Sequence, residues 1–171
     1  MNYFITFRTY GTWLHGDKRG SVDRFHTQVN EPLIAPDARL QGHRKNLMKS
    51  EAVALDDFAR ECVADAIREV ASHRGWSLLA LNVLSNHLHA LVTVPDDVQP
   101  EKVMNDFKAW STRRLRERRD WAPAASVWAT HCSTRYLKNE RDVHAAYDYV
   151  INSQADSAQY ESLTEPREPG A

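Results

Sequence analysis

The chain contains 171 residues, of which 42% are hydrophobic and 26% charged, and its formal net charge at pH 7 is -1. This length supports one domain with a substantial core and is too short for two comfortable ones. The near-neutral charge argues against a uniformly basic nucleic-acid-binding protein, but it leaves room for a local basic patch.

Nothing in the sequence indicates a membrane or an oxidising compartment. No segment approaches the roughly 20 apolar residues that cross a bilayer, and the first residues lack the basic leader and apolar run of a secretory signal. Cys62 and Cys132 lie far apart, without the CxxC spacing of a cysteine zinc cluster, and are typical of reduced thiols. We therefore expect a cytoplasmic protein with no membrane partner.

The first fifty residues predict one strand and a long polar segment. Residues 3–10 combine aromatic and β-branched side chains and end at Gly11, which is typical of a strand. The polar segment that follows contains two prolines and a short helix near residues 38–48. We interpret His15 and His26, which lie singly in this segment, as ordinary loop histidines.

Two amphipathic helices are predicted on either side of an apolar stretch. Residues 56–74 begin with aspartates that suit an N-cap and stop at Gly75, and residues 101–119 follow Pro100, which suits a first helical turn. We assign three of their side chains to the hydrophobic layer that packs on the sheet: Phe58, Ile67 and Phe107. Residues 101–119 also contain seven basic and three acidic side chains. A solvated helix end explains that run as well as a nucleic-acid surface does.

The apolar stretch between these helices contains two histidines at a spacing of two. Residues 78–94 are rich in Leu, Val and Ala and are interrupted only at residues 85–86, so they predict two buried strands joined by a tight turn. Side chains two apart on a strand share a face, so His87 and His89 stand side by side, facing a solvent-accessible site. A single strand histidine is usually just a hydrogen-bonded side chain. A metal site would need a third ligand from elsewhere.

The C-terminal part predicts a short strand over residues 127–130 and a helix that starts near Asn139. Apolar residues on that helix form one core-facing stripe, which includes Tyr147. Tyr149 lies off the stripe, so its phenol is available for something other than packing. Asn152 and Gln154 follow it, and their neutral oxygens suit magnesium or manganese alongside histidine.

The order of predicted elements is strand, helix, strand, strand, helix, strand, helix. This is the βαββαβ pattern of a ferredoxin-like α+β sandwich with an antiparallel sheet and an appended C-terminal helix. We expect residues 1–154 to form one domain and residues 155–171 a flexible tail. The helices near 56–74 and 101–119 should lie on one face of the sheet, and the paired histidines on the other.

The pair His87 and His89 in this order of elements, followed by Tyr149 in the segment Tyr-Val-Ile-Asn-Ser-Gln, resembles the HUH single-tyrosine transposases of the IS200/IS605 type. The chain is especially similar to the REP-associated tyrosine transposases, over residues 3–154. The resemblance implies that both histidines bind a divalent metal, Mg²⁺ or Mn²⁺, and that the tyrosine is the nucleophile. The family's third ligand lies four residues after the tyrosine, where this chain has a serine. We favour Gln154 as that ligand, with Asn152 as the alternative.

The function that this resemblance implies is metal-dependent cleavage and strand transfer of single-stranded DNA through a 5′-phosphotyrosine intermediate. The expected partner is single-stranded DNA with a hairpin, and the expected state is a monomer or a homodimer. Basic and aromatic side chains would bind that strand. The candidates are Arg113, Arg116, Trp110 and Trp13, although the two tryptophans suit the core equally well.

Two other classes of function remain open. The first is a non-catalytic ferredoxin-like module that binds nucleic acid, but the sequence has no aromatic-rich RNA-recognition signature and Tyr149 would have no task in it. The second is a metal-dependent hydrolase in which water attacks. That reading lacks the additional carboxylate expected as a general base.

Overall fold

The computed structural model describes residues 1–12, 14, 37–118 and 126–152. The elements in these ranges are β1 (Asn2–Thr9), α1 (Ala38–Asn46), α2 (Asp57–Arg74), β2 (Ser77–Val83), β3 (His87–Thr93), α3 (Pro100–Arg116), β4 (Trp128–Leu137) and α4 (Glu140–Asn152). This is the predicted order, and α1 agrees with the short helix predicted near residues 38–48. The predicted boundary at residue 154 and the tail after it lie outside the described residues.

The strands form an antiparallel sheet in the order β2-β3-β1-β4. β3 lies inside it, between β2 and β1, so its backbone is paired on both edges. This arrangement confirms the ferredoxin-like α+β sandwich with an antiparallel sheet. Within the described ranges, no helix is both long enough and apolar enough to span a bilayer.

Helices α2 and α3 cover one face of the sheet. Ile67 and Phe107 are fully buried there, together with Leu88 and Ala90 of β3. The assignment of Phe58 to this layer was wrong, because its side chain is 57% exposed. Phe58 lies in the first turn of α2 on the outer side, where the guanidinium of Arg118 sits 4.6 Å from its ring centre.

Helix α4 covers the opposite face, so the sheet is sandwiched between helices. Its buried residues Ala146 and Val150 pack on a small apolar cluster formed by Ala80, Leu91 and Leu137 of the strands. The side chain of Asn139 accepts a hydrogen bond from the backbone N–H of Asp142 at 2.9 Å and so caps the helix. This cap agrees with the predicted start of the C-terminal helix.

The ends of α2 also follow the sequence signals. The carboxylate of Asp56 accepts a hydrogen bond from the backbone N–H of Ala59 at 2.6 Å, which is an N-cap. Gly75 ends the helix with φ of +69°, a left-handed conformation that favours glycine. Cap chemistry is local, which is why both ends could be predicted from sequence.

The last strand is longer than predicted. β4 runs from Trp128 to Leu137, whereas the sequence predicted a strand over residues 127–130. The added part is polar, and Ser133 and Arg135 are exposed. Among the described strands β4 lies at the edge of the sheet and pairs only with β1. An edge strand tolerates polar side chains, which hide the apolar alternation.

Candidate active site

The two histidines of β3 lie side by side on the face covered by α4. Their ring centroids are 4.9 Å apart, with an angle of 81° between the planes. Leu88 and Ala90 point the other way, into the layer under α2 and α3. Strand alternation therefore separates the imidazoles from the main core, as predicted.

His89 is more enclosed than expected. Its side chain is 5% exposed, because the ring of Phe4 stacks on it at 5.5 Å and the ring of Tyr149 meets it edge-on at 5.3 Å. The expectation of a solvent-accessible imidazole was therefore wrong for His89. His87 agrees better with that expectation, because its side chain is only half-buried.

One nitrogen of His89 is occupied and the other has no partner. Nδ1 lies 2.7 Å from the hydroxyl Oγ1 of Thr6, which is directly opposite on β1. Nε2 is buried and makes no hydrogen bond to any described residue. When Nδ1 donates its proton to Thr6, the lone pair of Nε2 is left for a ligand.

The environment of His89 keeps its ring neutral. Burial lowers the pKa of His89 to about 3, and the imidazole of His87 acts in the same direction. At neutral pH the ring therefore carries no positive charge. A neutral imidazole is the form that binds a metal ion.

A turn residue holds His87. Nδ1 of His87 lies 2.6 Å from the amide oxygen Oδ1 of Asn86, which accepts the hydrogen bond, so the lone pair of His87 is on Nε2. The carbonyl of Asn86 accepts hydrogen bonds from the backbone N–H of Thr9 at 2.9 Å and from the hydroxyl of Thr12 at 3.3 Å. The turn before β3 is thus tied to the end of β1. We did not predict this role for Asn86.

Tyr149 lies next to His89, across the gap between α4 and the sheet. Its side chain is 42% exposed, and its ring also contacts Phe4 at 6.0 Å. Tyr147, in contrast, packs against the apolar cluster beneath α4. The two tyrosines differ in environment as their helical positions predict.

A cavity of about 420 Å³ joins Tyr149 and His89. Two charged residues that we did not predict line it as well, Arg135 of β4 and Asp142 of α4. Arg135 lies in the part of β4 beyond the predicted strand at residues 127–130, so no sheet face was assigned to it. An arginine beside a tyrosine and a histidine suits a phosphate group as ligand.

The described residues fit part of a divalent-metal site. A buried ring nitrogen without a hydrogen-bond partner, on a neutral imidazole, is the state expected of a histidine ligand. No group of three His, Cys, Asp or Glu side chains that could hold a metal occurs within the described ranges. Asn152 is exposed in the last turn of α4, and Gln154 lies outside those ranges. The identity of a third ligand therefore stays a prediction.

The predicted DNA-binding residues of α3 lie on another part of the surface. Arg113 and Arg116 line a groove of about 810 Å³ between α3 and the start of β4. The guanidinium of Arg113 lies 5.3 Å from the ring centre of Trp110, which also packs partly against the core. Arg114 forms an ion pair with Glu69 and Arg118 with Asp56, so part of the basic excess is neutralised. Trp13 lies outside the described residues.

The solved structures similar to this chain include two that are described as transposases. The structure of a REP-associated tyrosine transposase bound to a REP hairpin has a TM-score of 0.52 and 15% sequence identity. The match covers 88% of this chain but 64% of that protein, so this chain spans less than two thirds of its length. A crystal structure assigned as a transposase of Deinococcus radiodurans has a TM-score of 0.48 and 13% identity, with 85% of each chain covered.

The sequence itself identifies the family. No protein of curated function matches the chain. The family model described as Transposase IS200 like matches residues 38–152, which is more than half of the 171 residues. The matched region contains β3 with its histidine pair and α4 with Tyr149. The chain therefore belongs to the IS200-like transposase family.

Proposed function

We propose that this transposase is a metal-dependent endonuclease and strand transferase of single-stranded DNA that acts through a 5′-phosphotyrosine on Tyr149. The observation that supports this most is the edge-on meeting of the exposed Tyr149 ring and the His89 ring, 5.3 Å apart. Membership of a transposase family supports DNA as the substrate.

In this proposal His87 and His89 hold the metal through Nε2, and Gln154 or Asn152 adds an oxygen. A bound Mg²⁺ or Mn²⁺ would polarise the scissile phosphate and offset charge on its oxygens. Both imidazoles are held by hydrogen bonds that Nδ1 donates, His87 to Asn86 and His89 to Thr6, so neither ring has to turn to bind. Such fixed rings are typical of prepared metal ligands.

The chemical step exchanges one phosphodiester for another. The phenol oxygen of Tyr149 attacks phosphorus as its proton leaves to solvent, which reaches the 42% exposed side chain. The bond from phosphorus to the 3′-oxygen breaks, and that oxygen takes up a proton from solvent. The products are a free 3′-hydroxyl on one fragment and a 5′-phosphotyrosine on the other. Attack by a DNA 3′-hydroxyl reverses the step, so strand transfer needs no nucleotide cofactor.

The DNA contacts that we propose fall into two groups. Arg135 lies in the same cavity as Tyr149 and suits the scissile phosphate. Arg113, Arg116 and Trp110 suit the backbone and bases of a flanking segment. The REP hairpin bound by the similar solved protein supports a hairpin-bearing single strand as the partner. We propose that the protein acts in the cytoplasm, as a monomer or a homodimer.

The test is a denaturing gel of the protein with single-stranded DNA and Mn²⁺, using oligonucleotides that carry a hairpin and a label at one end. The 3′-labelled fragment should migrate with the protein, and the 5′-labelled fragment should appear as a shorter free product. Binding without any adduct would favour a non-catalytic module. Cleavage in which neither label follows the protein would favour attack by water.

A further inference from the structure

Asn82 of β2 is a buried polar residue in the layer between the sheet and α4. Its side chain is 2% exposed, and its amide nitrogen Nδ2 donates a hydrogen bond to the carbonyl oxygen of Val150 at 3.0 Å. Its amide oxygen Oδ1 is buried without a hydrogen-bond partner among the described residues. An aliphatic side chain would avoid this desolvation, so the amide requires an explanation.

The hydrogen bond joins the two halves of the candidate site. Asn82 is the direct cross-strand partner of His89 in the pairing of β2 with β3. Val150 follows Tyr149 in α4. One side chain therefore connects the strand position beside an imidazole to the helix position beside the tyrosine.

The accepting carbonyl lies near the C-terminal end of the described part of α4, Glu140–Asn152, in the turn that follows Tyr149. The fully buried apolar contacts beneath α4 come from small or aliphatic residues, with the rings of Phe4 and Tyr147 packed beside them. These contacts are not directional, so they resist sliding and rotation of the helix only weakly. A hydrogen bond of defined length and angle fixes both movements.

We propose that Asn82 is a positioning residue, whose amide holds Val150 and thereby sets the distance of Tyr149 from His89. The inference rests on the proposed function, because that distance matters only if these two residues face the reacting phosphate. A displacement of about 1 Å in a reacting group is enough to slow a reaction roughly a hundredfold.

The experiment compares Asn82→Leu, which removes the donor at similar size, with Val103→Ala. Val103 is fully buried in α3 on the other face of the sheet, so its truncation destabilises the fold without touching α4. Three quantities are measured well below each variant's Tm. They are the rate of adduct formation at saturating DNA and Mn²⁺, the Mn²⁺ affinity by calorimetry, and hydrogen exchange of the α4 amides.

Asn82→Leu should form adduct about 10- to 100-fold more slowly than the wild type, with faster amide exchange in α4. Its Mn²⁺ affinity should fall by about tenfold at most, because the candidate third ligands Asn152 and Gln154 follow Val150 in the chain while both imidazoles keep their hydrogen bonds. Val103→Ala should keep the wild-type adduct rate and α4 exchange. If Asn82→Leu does not fold, Asn82→Thr replaces it, because its hydroxyl is too short to take over the amide's contact and threonine suits a strand.

A wild-type adduct rate in the folded Asn82 variant, or unchanged exchange in α4, would overturn the inference. So would a loss of Mn²⁺ affinity of about a hundredfold or more, as expected for the histidine variants, since Asn82 would then act on the imidazoles and not on α4. Absence of adduct from the wild-type protein would instead refute the proposed function. In that case the exchange data alone decide whether Asn82 holds the helix.

Discussion

The two faces of the sheet differ in what they contribute to the protein. The face under α2 and α3 is an aliphatic and aromatic layer that includes Ile67 and Phe107 and excludes water. The face under α4 has a smaller apolar cluster, next to which His89 and Tyr149 line an open cavity. The main hydrophobic core and the candidate site thus lie on opposite faces of one sheet. Substitutions on the two faces should therefore have different consequences.

Tyr149→Phe should have the largest effect on activity. Adduct formation should fall by at least about a thousandfold, because phenylalanine has no oxygen with which to form the bond to phosphorus. Unfolding free energy should change by less than about 0.5 kcal/mol, since the side chain is 42% exposed. A denaturing gel and a thermal melt measure the two quantities.

Tyr147→Phe is the matched control and should keep most of the activity, because Tyr147 packs in the apolar cluster. Adduct formation that followed Tyr147 instead would contradict the assignment of the nucleophile. Cleavage that survived both substitutions would favour attack by water.

His87→Ala and His89→Ala should each abolish cleavage that depends on a divalent ion. We expect a loss of Mn²⁺ affinity of at least about a hundredfold, because one of two imidazole ligands is removed. His89→Ala should also lower Tm, since that side chain is 95% buried in the fold, whereas half-buried His87 should tolerate the change better. Calorimetry with Mn²⁺ and a thermal melt test both points.

The matched control for the histidines is His144→Ala. This histidine is exposed on α4, and its Nδ1 donates a hydrogen bond to the carbonyl oxygen of Glu140 at 3.0 Å. The substitution should leave Mn²⁺ affinity unchanged. Wild-type cleavage in either His87→Ala or His89→Ala would remove that residue from the set of ligands.

Gln154→Ala and Asn152→Ala should distinguish the two candidates for the third ligand. The true ligand should raise the Mn²⁺ concentration needed for half-maximal adduct formation by about 10- to 100-fold, and the other should change it little. We expect the larger rise for Gln154. Small and equal effects would exclude both residues, and the oxygen would then come from elsewhere.

Ile67→Ala should have the smallest effect on activity and a large effect on stability. Ile67 is fully buried between α2 and the sheet, so its truncation should lower the unfolding free energy by about 2–5 kcal/mol. The adduct rate per folded molecule should stay within about twofold of the wild type, because the site lies on the other face. A urea melt measures the unfolding free energy, and the gel assay measures the adduct rate. An adduct rate that fell together with the stability would contradict this prediction.

Local patterns in the sequence predicted much of the fold and the position of the paired imidazoles. The alternation of His87, Leu88, His89 and Ala90 assigns each side chain to a face without knowledge of the partner strands. The N-cap at Asp56 and the stop at the following glycine are equally local. Helical periodicity showed only that Tyr149 lies off the apolar stripe. The prediction that it is the nucleophile came from the resemblance to a family.

The features that we missed depend on contacts between distant parts of the chain. Arg135 reaches the cavity because a polar edge strand pairs with β1, and no periodicity marks such a strand. The enclosure of His89 comes from Phe4 and Tyr149, which lie on other elements. The role proposed for Asn82 could not be predicted from its neighbours, which are Leu, Ala and Val. Its hydrogen-bond partner is a backbone carbonyl 68 residues later in the chain.

The position of β3 inside the sheet limits how its sequence can change in length. β3 is paired on both edges, and its imidazoles and core residues alternate one by one. Insertion of a single residue before His87 within a fixed register would exchange the two faces, turning both imidazoles toward Ile67 and Leu88 toward Tyr149. This exchange would disrupt the hydrophobic core and the candidate site at the same time. A single-residue insertion within this strand would therefore need a bulge to absorb it, like the register shift between Leu78 and Ala80 where β2 pairs with β3.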